Sequence, residues 1–540
     1  MLLFRPALVL VAAVIALPSQ AARAQQERAV FVSHIAADTL AVEVMTRDGR
    51  SATAALRFRT PLLRVQQAVR ATSADIVEHV TTTVGQGARG DSAVQRAELT
   101  LFGDSARVHA GPGGGSPAIP DRTIAVPAGA IPFLNLSGLS LELILRRAHT
   151  LGGDSVAIPV LITGASRPYV ASVVRIAAGD SALVILAGVT LRTRTDAVGR
   201  FLGAVVPAQR LMIERLPGDA SVAAWTGAPA PVSYAAPAGA PYRAIDVTVP
   251  AHAGVLAGTL TIPPHAASAR VPAVILITGS GPQDRDESTP GLERWRPFRE
   301  LADTLSRRGI AVLRLDDRGV GGSAPASPGA TLVDEAADVR DAVAWLRARP
   351  DIDPARVALL GHSTGGAVAP MVAASDPRLR ALVLIAAPAS TGRQVSEYQI
   401  RHIFSEDTTL APGRRDTLLR VALHQADSAF AAPGWLHFVG DYDPLPAARR
   451  VRAPTLVLQG ETDRQVPVTD AARLAAAMRE AGNRMVTLRT FPRMNHLMVD
   501  DPSGSTLHYD ALPDLHVRAD LRGVLADWLA QALQVRPASP

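Results

Sequence analysis

The chain has 540 residues, too many for one compact core, so two or three domains are expected. An apolar fraction of 48% against 19% charged residues excludes a disordered chain, and the absence of cysteine excludes a disulfide framework, a thiol nucleophile and a lipid-modified cysteine. The net charge of +6 comes from 55 arginines and no lysine, scattered among 49 acids without a run of five or six like charges, so no nucleic-acid partner is indicated.

Taken in chain order, the first segment has Arg5, then an uncharged apolar stretch over 7–17, then Ala22-Arg23-Ala24. This pattern reads as a secretory signal over 1–24, with a periplasmic or secreted destination. Its apolar part falls short of the ~20 residues that span a bilayer, so no stable membrane insertion is expected after signal removal. Residues 25–215 carry short apolar or alternating segments between Gly, Asp and Pro breaks, which predict a mostly β domain of unknown function. Strands are expected at 39–45, 156–162, 169–176, 182–186 and 189–195, a glycine-rich loop at 111–115, and a short helix over 141–147 with Ser140 as its N-cap. Residues 216–241 are rich in Ala, Pro and Gly and read as a semi-rigid linker.

From residue 242 to 540 strands alternate with amphipathic helices, the mark of an α/β fold with a mostly parallel sheet covered on both faces. Strands are expected at 244–249, 255–262, 273–277, 310–315, 357–360, 382–386, 455–458 and 486–491, the first two as an antiparallel hairpin. Helical stripes are formed by Phe298, Leu301, Ala302 and Leu305, by Leu332, Ala336, Val339, Val343 and Leu346, and by Val517, Leu521, Val524, Leu525, Trp528 and Leu529. A helical insertion at about 390–444 is expected to lie over the carboxyl ends of the strands as a cap.

Gly361-His362-Ser363-Thr364-Gly365 follows an apolar strand and opens a helix of small residues. Such a turn is so sharp that flanking glycines are needed, and it presents Ser363 as a candidate nucleophile. A serine hydroxyl needs a base, and the base needs an aligning group. Asp463 follows the strand at 455–458 and His496 follows the strand at 486–491, in the order Ser, Asp, His. Glu461 is the rival acid, while His362, His508 and His516 are less well placed than His496 as the base. The oxyanion donors are expected to be Thr364 N–H and Ser280 N–H, with Gly281 as the alternative to Ser280. Asp284-Arg285-Asp286 reads as an ion-paired turn, with substrate recognition as the other reading.

The run Gly279-Ser-Gly-Pro-Gln-Asp-Arg-Asp, then 315–323, Gly361-His-Ser-Thr-Gly-Gly366, 460–467 and Asn495-His496 together resemble the EstD-type carboxylesterases of the α/β-hydrolase superfamily, relatives of which are described as serine aminopeptidase-like. The resemblance spans about 242–535 and implies an α/β-hydrolase fold and ester hydrolysis, commonly of short acyl chains, with Ser363, Asp463 and His496 as the triad. The leading reading is an exported carboxylic-ester hydrolase that works through an acyl-enzyme. Some relatives have histidine where this chain has Thr278. The expected partner is a small-molecule ester, with Phe404, Trp435, Leu436 and Phe438 of the cap as candidate lining residues. A serine peptidase or aminopeptidase is the alternative, using cap acids such as Glu397, Glu406 and Asp407. From another class, the chain is a binding module with a degenerate hydrolase domain. No cofactor or metal is implied, because no metal-ligand motif, dinucleotide fingerprint or phosphate loop occurs. No motif sets the oligomeric state.

Overall fold

The computed structural model describes residues 26–535, apart from 36–37, 59–62, 74–75, 87–91, 113–118, 163–166, 177–180, 198, 208–210, 223–231, 265–268, 289–291, 293, 325–329, 407, 409 and 432–434. The expected signal at 1–24, most of the glycine-rich loop at 111–115, part of the linker and Asp407 lie outside the described residues.

Fifteen strands, from Glu27–Ile35 to Leu211–Leu216, form one sheet. Neighbouring strands run antiparallel, except that Ile131–Phe133 pairs in parallel with Ser155–Ile162. The first and last strands meet in the middle of the sheet, with Val30 opposite Leu216. Between the parallel pair runs the helix Gly138–Leu151, and its Leu139, Leu141, Ile144 and Leu145 share a core with Phe31, Ile158, Val184 and Phe201. Gly138 lets the helix touch the Phe31 ring, since a β-carbon there would lie 2.4 Å from it.

This helix begins three residues before the expected 141–147, and its N-cap is Ser137 rather than Ser140. The cause lies far away in the chain. Glu43 accepts from the Ser137 hydroxyl (2.7 Å) and from the amides of Gly138 (2.5 Å) and Leu139 (3.2 Å), so a carboxylate from a distant strand satisfies the free donors of the first turn. Ser140 instead accepts from Leu134 N–H at 3.1 Å. One turn on, fully buried Glu142 is held by Arg47 (3.1 Å), Arg146 (3.0 Å) and Arg215 (2.9 Å). A carboxylate in such a site is tolerable only because it is so heavily paired.

The second sheet has eight strands: β1 (Arg243–Ala251), β2 (Gly254–Ile262), β3 (Val271–Ile277), β4 (Ala311–Leu315), β5 (Ile352–His362), β6 (Ala381–Ile385), β7 (Thr455–Gly460) and β8 (Val486–Phe491). Their order is β1-β2-β4-β3-β5-β6-β7-β8, with β1, β2 and β4 paired antiparallel and the rest parallel. Helices α1 (Pro297–Arg307) and α9 (Ala519–Ala532) cover one face through Phe298, Leu301, Leu521 and Leu525. Helices α2 (Leu332–Arg347), α3 (Gly365–Ala373) and α8 (Asp470–Glu480) cover the other through Ala336, Val368 and Leu474. Between β6 and β7 lies the cap, made of α4 (Gly392–Glu406), α5 (Pro412–Phe430), α6 (Trp435–Asp441) and α7 (Leu445–Arg450).

The fifteen-stranded sheet rests directly on this cap. Val174, Leu183 and Ile185 of the sheet pack with Ile400, Phe404, Leu418 and Ala422 of α4 and α5. Burying an aliphatic side chain is worth roughly 1.5–3 kcal/mol, so this cluster outweighs the hydrogen bonds beside it, from Gln425 Nε2 to Ser172 Oγ (3.0 Å) and from the Arg167 guanidinium to Ser428 O. The approach is close at Gly188, whose φ is +83° and where a β-carbon would stand 2.9 Å from Ala426 Cβ.

Burial pushes the Glu43 carboxyl up to about 7, against the opposing pull of Ser137 and the two helix amides. A folded-state value above the unfolded one contributes stability that is full below the unfolded value of 4.5 and is lost as pH rises through about 7. The wild-type chain should therefore lose about 2–3 kcal/mol relative to Glu43→Gln between pH 5 and pH 8. Urea denaturation of both chains at the two pH values checks this, and an equal difference at each pH would contradict it.

Candidate active site

Ser363 sits in the two-residue turn between β5 and α3, with φ of +52°. A non-glycine residue in this region is strained by about 1–2 kcal/mol, so the surroundings must hold it there. They do so by close packing and by a hydrogen bond from Ser363 N–H to Ile385 O (3.0 Å) at the end of β6. A β-carbon at Gly361 would lie 2.2 Å from Gly365 O, and one at Gly365 would lie 2.3 Å from Ile277 O. Two glycines thus permit strand, turn and helix to meet.

The loops after β7 and β8 bring the other two residues to it. His496 Nε2 is 3.1 Å from Ser363 Oγ, and His496 Nδ1 is 2.9 Å from Asp463 Oδ2. Asp463 also accepts from the amides of Gln465 (2.8 Å) and Val466 (2.9 Å) and from Gln459 Nε2 (3.0 Å). Burial alone would raise this carboxyl, but the facing imidazole and these donors outweigh it and hold it below the usual carboxylate range. An ionised Asp463 accepts the Nδ1 proton, which leaves Nε2 of the neutral ring as the acceptor towards Ser363. The rival acid, Glu461, is exposed and accepts from Thr490 Oγ1 at 2.8 Å instead.

Two residues that sequence reasoning did not assign to the site support it from beneath. Buried His362 places Nε2 3.0 Å from the backbone oxygen of His496 and Nδ1 2.9 Å from Glu287 Oε1, and the same Glu287 oxygen accepts from Gly279 N–H at 2.7 Å. Burial would lower the His362 pKa, but the Glu287 carboxylate overrides this and raises it. Through acceptors at both ring nitrogens, His362 ties the loop of His496 to the loop after β3. The adjacency of His362 to Ser363 was visible in the sequence, but the long-range pairing with Glu287 carried no local signal.

Ser280 lines the same cavity as Ser363 and His496, and Thr364 opens α3 beside the nucleophile. Among the described residues neither Ser280 N–H nor Thr364 N–H donates a hydrogen bond. The β3 loop is held by Asp317, which accepts from Thr278 Oγ1 (2.8 Å) and Gln283 N–H (2.9 Å). Arg285 pairs with both Asp316 oxygens (3.0 and 2.7 Å), and Asp286 pairs with Arg296 (2.6 Å) and Arg314, so this stretch is an ion-paired turn.

The cavity over Ser363 has a volume of about 460 Å³. The cap contributes Gln399 and Ile403, and the fifteen-stranded sheet contributes Ile35 and Leu40. The four cap residues expected to line it lie elsewhere. Trp435 and Phe438 pack down on the core of the second sheet, with Trp435 Nε1 donating to Glu335 at 3.1 Å, while Leu436 is 46% exposed. Phe404 lines a neighbouring cavity. It is α4, and not α6, that reaches the site, through Gln399 and Ile403. One group with metal-ligand potential occurs among the described residues, His252, Asp338 and Asp341, and it includes none of the residues around Ser363.

The model of the prolyl oligopeptidase family matches residues 297–511. The esterase EstD of Thermotoga maritima is 29% identical over 293 residues, which cover 53% of this chain and 67% of that protein. An uncharacterized protein of Mycobacterium tuberculosis is 30% identical over 235 residues, 44% of this chain and 67% of its own length. Among solved structures, an esterase of Pyrococcus furiosus has a TM-score of 0.38 and 16% identity, covering 56% of this chain and 97% of its own. The α/β-hydrolase GrgF from Penicillium has a TM-score of 0.37 and 18% identity, covering 54% and 99% respectively. With its second sheet ordered as described, the chain has the fold of an α/β hydrolase, and in its sequence it is EstD-like, similar over that half to a hydrolase of the esterase type.

Proposed function

We propose that the chain is an exported carboxylic-ester hydrolase that works through an acyl-enzyme on Ser363. The observation that carries this reading is the unbroken hydrogen-bonded chain Ser363, His496, Asp463 on the wall of a cavity. The ester carbonyl carbon is attacked by Ser363 Oγ as its proton passes to His496 Nε2, and the resulting imidazolium is stabilised by Asp463. The same proton goes to the departing alkoxide, and water then repeats the sequence to release the acid. Ser280 and Thr364 amides are the donors proposed for the oxyanion, each worth about 3 kcal/mol of barrier. The export part of the proposal rests on the apolar run at 7–17 and the small residues closing it.

One observation favours amide cleavage as a second reading. Among the described residues, Gln283 Oε1 and Glu287 Oε2 are buried acceptors without a hydrogen-bond partner, and both residues line the cavity. An N–H on the substrate would satisfy them. Against an aminopeptidase, of the candidate cap acids Glu397, Glu406 and Asp407 the two among the described residues are engaged elsewhere, Glu397 with Arg401 (2.7 Å) and Glu406 with Ser505 (2.5 Å). For the binding-module reading the intact hydrogen-bonded chain gives no support.

Ser363→Ala is expected to lower turnover of p-nitrophenyl esters by around 10⁶ and to abolish labelling by a fluorophosphonate, with the fold retained by circular dichroism. Asp463→Asn should cost about 10⁴ in kcat, since an amide no longer fixes the Nδ1 proton of His496. Equal labelling of wild type and Ser363→Ala would overturn the assignment of the nucleophile. Paired assays with p-nitrophenyl esters and aminoacyl p-nitroanilides should give ester turnover in large excess, and anilide turnover without ester turnover would favour the peptidase.

A further inference from the structure

Two cavities meet at Ile403. The first is the one over Ser363, walled in part by Ile35 and Leu40 from the first hairpin of the fifteen-stranded sheet. The second, about 440 Å³, lies between that sheet and the cap, and it also has Ile403 in its wall. Consecutive residues Thr506 and Leu507 face one cavity each, so the two share a partition. Each has the volume of an ordinary ligand pocket.

The second cavity is lined mainly by apolar side chains, among them Leu183, Val205 and Met212 of the sheet and Ile400 and Phe404 of α4. Val205 and Met212 are 39% and 37% exposed, although strands Tyr169–Arg175 and Ser181–Leu186 of the same sheet are closely docked on the cap. At Gly188, itself in the cavity wall, sheet and cap approach so closely that a β-carbon would collide with Ala426. A gap bordered by such tight contact is shaped space between two packed surfaces. Its apolar lining and its position next to the nucleophile specify an apolar chain attached to the scissile ester.

We infer that the fifteen-stranded sheet is part of the substrate site, and that an acyl chain of eight or more carbons runs from Ser363 past Ile403 into the cavity between sheet and cap. This rests on the ester-hydrolase reading above. Ile403 and Met212 are then selectivity-determining residues, and the sheet sets chain-length preference. Each methylene taken from water is worth about fourfold in kcat/KM, so the wild type should climb with chain length until the second cavity is filled.

The experiment is a p-nitrophenyl ester series from acetate to dodecanoate on the full-length chain. The wild type should prefer octanoate or decanoate to acetate. Ile403→Trp, which thickens the partition, should lower the decanoate-to-acetate ratio of kcat/KM by about thirtyfold, and Met212→Glu, on a partly exposed position of the sheet, by about tenfold. Ile403→Ala should keep or raise that ratio, which separates a blocked passage from a damaged fold. A wild type that peaks at acetate or butyrate, or variants whose profile matches the wild type, would overturn the inference while leaving the ester-hydrolase reading intact. A wild type that neither turns over any ester nor takes up a fluorophosphonate would overturn both.

Discussion

The near-collision of β5 with the start of α3 is the constraint on which the site depends. Gly361 and Gly365 leave no room for a β-carbon against the backbone at Gly365 and Ile277, and Ser363 between them is forced to positive φ. That geometry lifts the serine out of the sheet at the carboxyl end of the central strand. Because β7 and β8 run parallel to β5, their following loops open on the same edge. Parallel strands thus deliver Asp463 and His496 to one place although the sequence keeps them apart.

Polarity around the three residues is arranged in two layers. Asp463 is buried and fully engaged by Gln459, Gln465 and Val466, so its charge is fixed where the imidazole needs it. Below, Glu287 and His362 form a second buried pair that grips the backbone of both His496 and Gly279. Each buried charge would be costly alone, and each is tolerated because it is paired and hydrogen-bonded. The same rule governs Glu43 and Glu142 in the first sheet, where buried carboxylates fix a helix whose whole first turn is enclosed.

Much of this was legible in the sequence, for identifiable reasons. The eight strands of the second sheet are buried apolar runs between turn signals, and the structure places all eight, with the first two as an antiparallel hairpin. Ser363, Asp463 and His496 are each next to a strand end, so local pattern plus chain order sufficed to propose them. The start of the helix at Gly138 was missed because its cap comes from Glu43, and Glu287 was missed because its partner is His362. The cap was legible as a helical insertion, but which of its faces meets the site is a tertiary fact. Trp435 and Phe438 turned to the core, while Gln399 and Ile403 face Ser363. Nor did anything local announce that Ile35 and Leu40 reach the same cavity.

The central claim, that Ser363 carries an acyl group during turnover, is tested most directly by rapid acid quench of the full-length chain with a p-nitrophenyl ester, followed by peptide mass mapping. The account predicts an acyl adduct confined to the peptide containing Ser363, formed in a burst equal to the enzyme concentration and accumulating no further. Ester turnover with no adduct on any peptide across the steady state, or an adduct on a residue other than Ser363, would contradict it.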